Sequence, residues 1–278
     1  MFLSDRFVYV DLQKTGTEAV FQWLKDLNFA RRRLDKHGKP PPDVIDGPLV
    51  KFATVRDPWE YYISLWAYGV DDGRRSGPYK SLTTFRPHKG RSLRLAGYRG
   101  ALSFLPALTV SLRENRAANR RLYSDANDPA LFRAWMRKVM HPRYAALLSG
   151  AYYASGLHRY AGFYTYRYCN LYCRDERTLH SGRLRDLASL RAFEEANCYI
   201  DDFIQTARLT ADFVALIERH GWADEETARA AIGEKDRVNT SRKGLTKAEH
   251  FYDAETADLV AERERLLIDR FGYRRPDV

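Results

Sequence analysis

Cysteine is scarce, with 3 residues in a chain of 278. An odd number with no secretory leader ahead of it argues against a disulfide framework and predicts reduced, buried thiols. Cys169 and Cys173 stand at helical spacing, but two thiols do not make a zinc site, and no metal-ligand cluster is visible. Long apolar runs are also missing. The opening residues carry Asp5, Arg6 and Asp11 among short hydrophobic stretches, so neither a leader nor a membrane span is predicted, and a cytoplasmic location follows by default. Neither an internal repeat nor a proline-rich linker divides the chain, so one domain over residues 1–278 is expected, with one substantial core.

What is present is a globular composition with a basic surface. Hydrophobic residues make up 45% and charged residues 29%, which argues against disorder, and the formal net charge is +10. Such a surface attracts nucleotides, acidic glycans, nucleic acid or anionic lipid. The arginines are scattered, with local knots at Arg31–Arg33, Arg74–Arg75, Arg120–Arg121 and Arg274–Arg275, and no nucleic-acid module surrounds them. The expectation is therefore a solvated basic surface around an anion-binding cleft, with no nucleic-acid partner and with peripheral membrane contact left open.

Two segments share one grammar. Phe7–Val10 is a short apolar run that reads as a buried strand; after a turn through Lys14–Thr17, Ala19, Val20, Trp23, Leu24 and Leu27 mark one face of a helix. Leu49–Val55 is a second apolar run, ending in Arg56-Asp57-Pro58-Trp59-Glu60, where Pro58 suits the first helical position and Asp57 the cap before it. Strands whose C-terminal ends feed helix N-termini predict an α/β fold with a central parallel β-sheet flanked by helices, and ligands at that edge. Between them, Arg31 to Pro48 is polar and proline-rich and reads as irregular. Further on, helices are expected over 131–140, 163–172, 210–220 and 254–271, and a strand over 198–204. Residues 69–168 are read as an insertion, patternless over much of its length.

A glycine turn between strand and helix aims backbone N–H groups and the helix dipole at an anion. A nucleotide-hydrolysing P-loop needs lysine after its second glycine; here Lys14 precedes Gly16 and no earlier glycine exists, so a kinase or ATPase is a poor fit. Lys14-Thr15-Gly16-Thr17 instead resembles the 5′-phosphosulfate loop of the sulfotransferase superfamily. Val55-Arg56-Asp57-Pro58-Trp59 with Ser64 is similar to its 3′-phosphate signature, a strand leading into Arg-Asp/Asn-Pro-aromatic with a serine eight residues after the arginine. Ser241-Arg242-Lys243-Gly244, ahead of the last helix, looks like the loop that closes over the donor. Together, in this order and at these strand ends, the segments are specific where each alone is common.

The resemblance implies a three-layer, P-loop-NTPase-like sulfotransferase fold and a donor, 3′-phosphoadenosine 5′-phosphosulfate (PAPS), that leaves as adenosine 3′,5′-bisphosphate (PAP), with no metal. It assigns Lys14 to the bridging oxygen, the backbone of Thr15, Gly16 and Thr17 to the 5′-phosphate, and Arg56 and Ser64 to the 3′-phosphate. In the branch related to carbohydrate sulfotransferases a histidine ahead of the second strand is the base, and His37 occupies a comparable place; Asp35, Asp43 or Glu18 are alternatives. Glu18 is a departure, because many relatives carry a hydroxyl residue there. The acceptor is expected to be a saccharide or lipid-linked glycan, with Trp66, Tyr68, Trp135, Tyr164, Tyr166 and Arg167 as candidate contacts, although aromatic residues at helical spacing more often belong to a core. The rival readings are a non-catalytic nucleotide- or polyanion-binding module and an atypical nucleotide kinase.

Overall fold

A computed structural model of the chain describes residues 1–33, 37–73, 76–85, 98, 101–233 and 248–278. They form two compact units that interleave along the sequence. The first comprises Met1–Asp57, Leu171–Arg174 and Cys198–Lys243, and the second Pro58–Asn170, Asp175–Asn197 and Gly244–Val278.

The first unit is α/β. Its strands are β1 (Phe2–Leu3), β2 (Phe7–Val10), β3 (Arg32–Arg33), β4 (Val50–Val55) and β5 (Asp202–Gln205), in the spatial order β3-β1-β2-β4-β5. The expected parallel pairing holds for β2 with β4, where Tyr9 faces Phe52, and for β4 with β5, where Ala53 faces Phe203. The sheet as a whole is mixed, which corrects the all-parallel expectation. β1 runs antiparallel to both β2 and β3. The β1–β2 hairpin turns on Ser4, whose Oγ accepts from Arg6 N at 3.1 Å and Phe7 N at 3.0 Å. Two-residue strands leave no period to read, and a pair of arginines suits an edge strand rather than an apolar run.

Alternation along the strands sends Phe7, Tyr9, Phe52 and Ile204 to one face. There they pack with Val20, Phe21, Trp23 and Leu24 of helix α1 (Thr17–Asp26) and with Phe213, Val214, Leu216 and Ile217 of the helix Leu209–Arg219. Tyr9 stacks on Phe52 at 4.9 Å between ring centroids. Each such buried ring contributes roughly 2 kcal/mol by removal of apolar area from water. The polar connection expected to be irregular contains β3 and a short helix, α2 (Pro42–Ile45).

The second unit is helical among the described residues. Helix α3 (Pro58–Asp71) begins at the expected proline. Trp59 Nε1 donates to Ala257 O at 3.1 Å, and Tyr252 Oη returns a bond to Trp59 O at 3.0 Å. Tyr61 stacks on Tyr164 at 3.8 Å, and Trp66 meets Phe132 edge to face at 5.4 Å. The last expected helix is interrupted: it runs as Ala254–Arg263 and Arg265–Phe271, with fully buried Glu264 between the two.

Candidate functional site

The candidate loop leaves β2 at Asp11 and enters α1 at Thr17. Two of its residues occupy the left-handed backbone region, Gly16 at φ 88° and Lys14 at φ 74°. Glycine takes that conformation freely, whereas lysine does so at a cost of about 1–2 kcal/mol. A Cβ at Gly16 would also lie 3.0 Å from Leu209 Cδ2, a tight contact that the leucine methyl must yield to, so the turn needs glycine chiefly for its φ. Gly16 caps α1 with no side-chain hydrogen bond, and the first N–H groups of a helix have no intrahelical acceptors. The arrangement is a cradle of backbone donors at the positive end of a helix.

The threonine hydroxyls of the motif face inward. Thr15 Oγ1 donates to Leu12 O at 2.7 Å, and Thr17 Oγ1 donates to the same carbonyl at 3.0 Å. Thr15, thus committed as a donor, accepts from Thr54 Oγ1 at 2.8 Å, and Thr54 in turn accepts from Tyr9 Oη at 2.9 Å. Burial raises the Tyr9 phenol far above its ordinary range, which keeps it a donor at the head of this chain. Tyr9, Thr54, Thr15 and the Leu12 carbonyl thus lock the loop from beneath, and the groups left for an anion are backbone N–H donors rather than the hydroxyls.

Arg56 follows the last residue of β4, the parallel neighbour of β2, and its Nη1 approaches Lys14 O at 3.5 Å. Glu18 is exposed on the first turn of α1. Ser64 lies on α3 and belongs to the second unit. Ser241, Arg242, Lys243 and Gly244, and also Asp35 and Lys36, lie outside the described residues.

His37 is held by a residue that sequence reasoning passed over. Asp11, fully buried at the C-terminal end of β2, places Oδ2 at 2.7 Å from His37 Nδ1. Its Oδ1 lies 2.5 Å from the Met1 amino nitrogen. The His37 backbone N–H also points to Oδ1 at 3.4 Å. Burial pushes the Asp11 carboxyl up, but the hydrogen bond and charge of His37, with those of the amino terminus, prevail and hold it below the ordinary carboxylate range. Nδ1 also lies 3.2 Å from the Asp11 carbonyl oxygen, so in the neutral ring this nitrogen faces only acceptors and carries the proton, and Nε2 is the one without it. His37 itself sits at φ 57°. The available signal was an aspartate closing an apolar strand, a position where a charge is costly unless it has work to do.

The aromatic acceptor candidates are core residues. Trp66, Trp135, Tyr164 and Tyr166 are buried, and Arg167 Nη1 donates to Tyr61 Oη at 2.9 Å within the second unit. Tyr68 is half-buried on α3. Among the described residues no group of three or more His, Cys, Asp or Glu side chains comes together to hold a metal ion, and no helix is long and apolar enough to cross a membrane. Comparison of the chain with protein-family models, with curated proteins and with solved structures returned no match in any of the three.

Proposed function

We propose that the chain is a sulfotransferase that takes a sulfuryl group from PAPS and passes it to a hydroxyl or amine acceptor, a saccharide or glycan being the first class to assay. One observation carries the reading. Lys14 and His37, nominated from sequence for charge stabilisation and for base catalysis, are both non-glycine residues held at positive φ, with Asp11 at the end of β2 anchoring His37. Backbone strain of this kind is retained where it serves a purpose.

PAPS supplies the activated sulfuryl group; the chain's own residues do the rest. The backbone N–H groups of Thr15, Gly16 and Thr17 bind the 5′-phosphate, and the Lys14 ammonium neutralises charge at the bridging oxygen. Arg56 binds the 3′-phosphate. His37 Nε2 takes the proton of the acceptor, and Asp11 fixes the tautomer that makes Nε2 available. Positioning and charge neutralisation account for most of the rate, as in phosphoryl transfer.

The test is calorimetry with PAP and with ATP, followed by turnover of labelled PAPS with saccharide acceptors. Binding of PAP well ahead of ATP, weakened about 30-fold by Arg56→Ala, is the expected result. Equal affinity for the two nucleotides without turnover would leave a nucleotide-binding module in its place. Magnesium-dependent ATP turnover would make the protein a kinase.

A further inference from the structure

The three cysteines were expected to be reduced, buried thiols, and two of them face each other across paired backbone. Cys173 and Cys198 form an isolated antiparallel bridge within the first unit. Tyr199 N donates to Tyr172 O at 3.1 Å. A bond between those flanking residues places Cys173 and Cys198 at a non-hydrogen-bonded position of the pair. There opposed Cα atoms approach to about 4.5 Å and side chains are closest. Disulfides span Cα separations of about 4.4 to 6.8 Å, so a non-hydrogen-bonded antiparallel pair lies within the reach of a disulfide. Cys173 is buried and Cys198 half-buried, so Cys198 is the thiol nearer to solvent.

The geometry points to a redox modification site: Cys173 and Cys198 close to an intramolecular disulfide when the protein meets a disulfide oxidant. The Cys198 thiolate attacks one sulfur of the oxidant, its S–S bond breaks, and one small thiol leaves. The Cys173 thiolate then attacks the Cys198 sulfur of the mixed disulfide, and the second small thiol leaves. Two protein thiols are oxidised, one external disulfide is reduced, and the two thiol protons end on the released thiols.

The bridge would act beside the candidate loop. Tyr172, next to Cys173, directs its Oη to Thr54 O at 3.1 Å and to Val10 O at 3.4 Å, at the C-terminal ends of β4 and β2. On the other side Cys198 leads into β5, the parallel partner of β4. A disulfide would therefore staple the Leu171–Arg174 segment to the approach of β5 and hold Tyr172 on the ends of the strands that carry Lys14 and Arg56. This inference is independent of the sulfotransferase reading, because it concerns only the two thiols and the backbone between them.

The experiment incubates the full chain with oxidised glutathione, alkylates the remaining thiols and maps peptides by mass spectrometry. The expected product is a Cys173–Cys198 cross-linked peptide with Cys169 alkylated, formed equally by Cys169→Ser and reversed by dithiothreitol. Its non-reduced melting temperature should rise by roughly 5–10 °C. Glutathione retained on Cys198 without closure, a cross-link that uses Cys169, or covalent dimers in place of the internal bridge would each overturn the assignment. Because the mapping is done on the wild-type chain, it does not depend on whether Cys173→Ser folds.

Discussion

His37 Nδ1 lies 2.7 Å from Oδ2 of Asp11, a carboxylate with no exposure to solvent. The pair has the logic of an orienting acid behind an imidazole base, in which the acid selects the tautomer and stabilises the imidazolium that forms. In the proposed reaction His37→Ala lowers kcat by about 10²–10⁴-fold, the usual worth of a positioned general base. Asp11→Asn, nearly isosteric, lowers kcat by about 10²-fold while the KM for PAPS stays put. The double variant should be no worse than His37→Ala, since the two residues act as one unit. An Asp11→Asn enzyme with unchanged kcat would remove the dyad from the mechanism.

Asp11 also sets an acid limit on stability. Its folded carboxyl is held below its ordinary value of 3.8, by His37 and the amino terminus acting against burial. A depressed acid contributes stability that is fully present above the unfolded value and is lost as the pH falls through the folded one. Thermal melts of the wild type should therefore drop as the pH is lowered from about 4, and Asp11→Asn should flatten that drop although its melting temperature is lower at neutral pH. The same slope in both proteins would show that other carboxylates set the acid limit.

The loop makes two separable demands. Lys14→Ala removes the side-chain ammonium from the loop, so turnover should fall about 10²–10³-fold while the protein remains folded. Gly16→Ala instead forces a Cβ into the left-handed region and to within 3.0 Å of Leu209. It should cost about 1–2 kcal/mol of stability and weaken PAP binding, since the N–H groups on either side must turn. Calorimetry with PAP, paired with denaturant melts, separates the two effects.

Below the loop, Thr54→Val breaks the hydroxyl chain in the middle and takes from buried Tyr9 Oη its bond to Thr54. A buried hydroxyl without a partner costs about 1–3 kcal/mol. The expected signature is a lower melting temperature together with weaker PAP binding; Thr15→Val should behave alike, because both variants cut the same chain. Loss of stability with unaltered binding would mean that the chain supports the core and not the loop.

Much of the scaffold was legible in the chain because it follows local periodicity. Phe7–Val10, Val50–Val55 and α1 appear where alternation and helical spacing put them, and Pro58 opens α3. β1 and β3 were not legible, since two residues have no period and their pairing is decided by a neighbour. Asp11, Thr54 and Tyr9 were missed for a related reason: their roles depend on partners brought near by the fold, His37 from 26 positions away and Thr54 from 45. Glu264 was absorbed into a helix by the spacing of Val260, Leu266 and Leu267 around it, and its buried side chain serves a different helix.

Glu264 accepts from Tyr62 Oη at 2.5 Å, from Thr165 Oγ1 at 2.6 Å, and from the backbone N–H groups of Thr165 at 2.8 Å and Tyr164 at 3.3 Å. The two backbone donors are in the first turn of the helix Phe163–Tyr172, so a carboxylate distant in sequence caps it. Burial raises the Glu264 carboxyl, against the hydrogen bonds from Thr165 and Tyr62 that favour its charged form. Glu264→Ala removes the acceptor of Tyr62 Oη and of both Thr165 donors, while Tyr164 N keeps Tyr62 Oη at 3.2 Å, and should cost about 4 kcal/mol. Gly162→Ala reaches the same site from the other side, since its Cβ would lie 1.8 Å from Glu264 Oε1. It should destabilise the protein as well, and the double variant should fall short of the sum because both lesions displace one side chain. Denaturant melts of the three variants decide it, and strict additivity would mean that Gly162 and Glu264 do not share the cap.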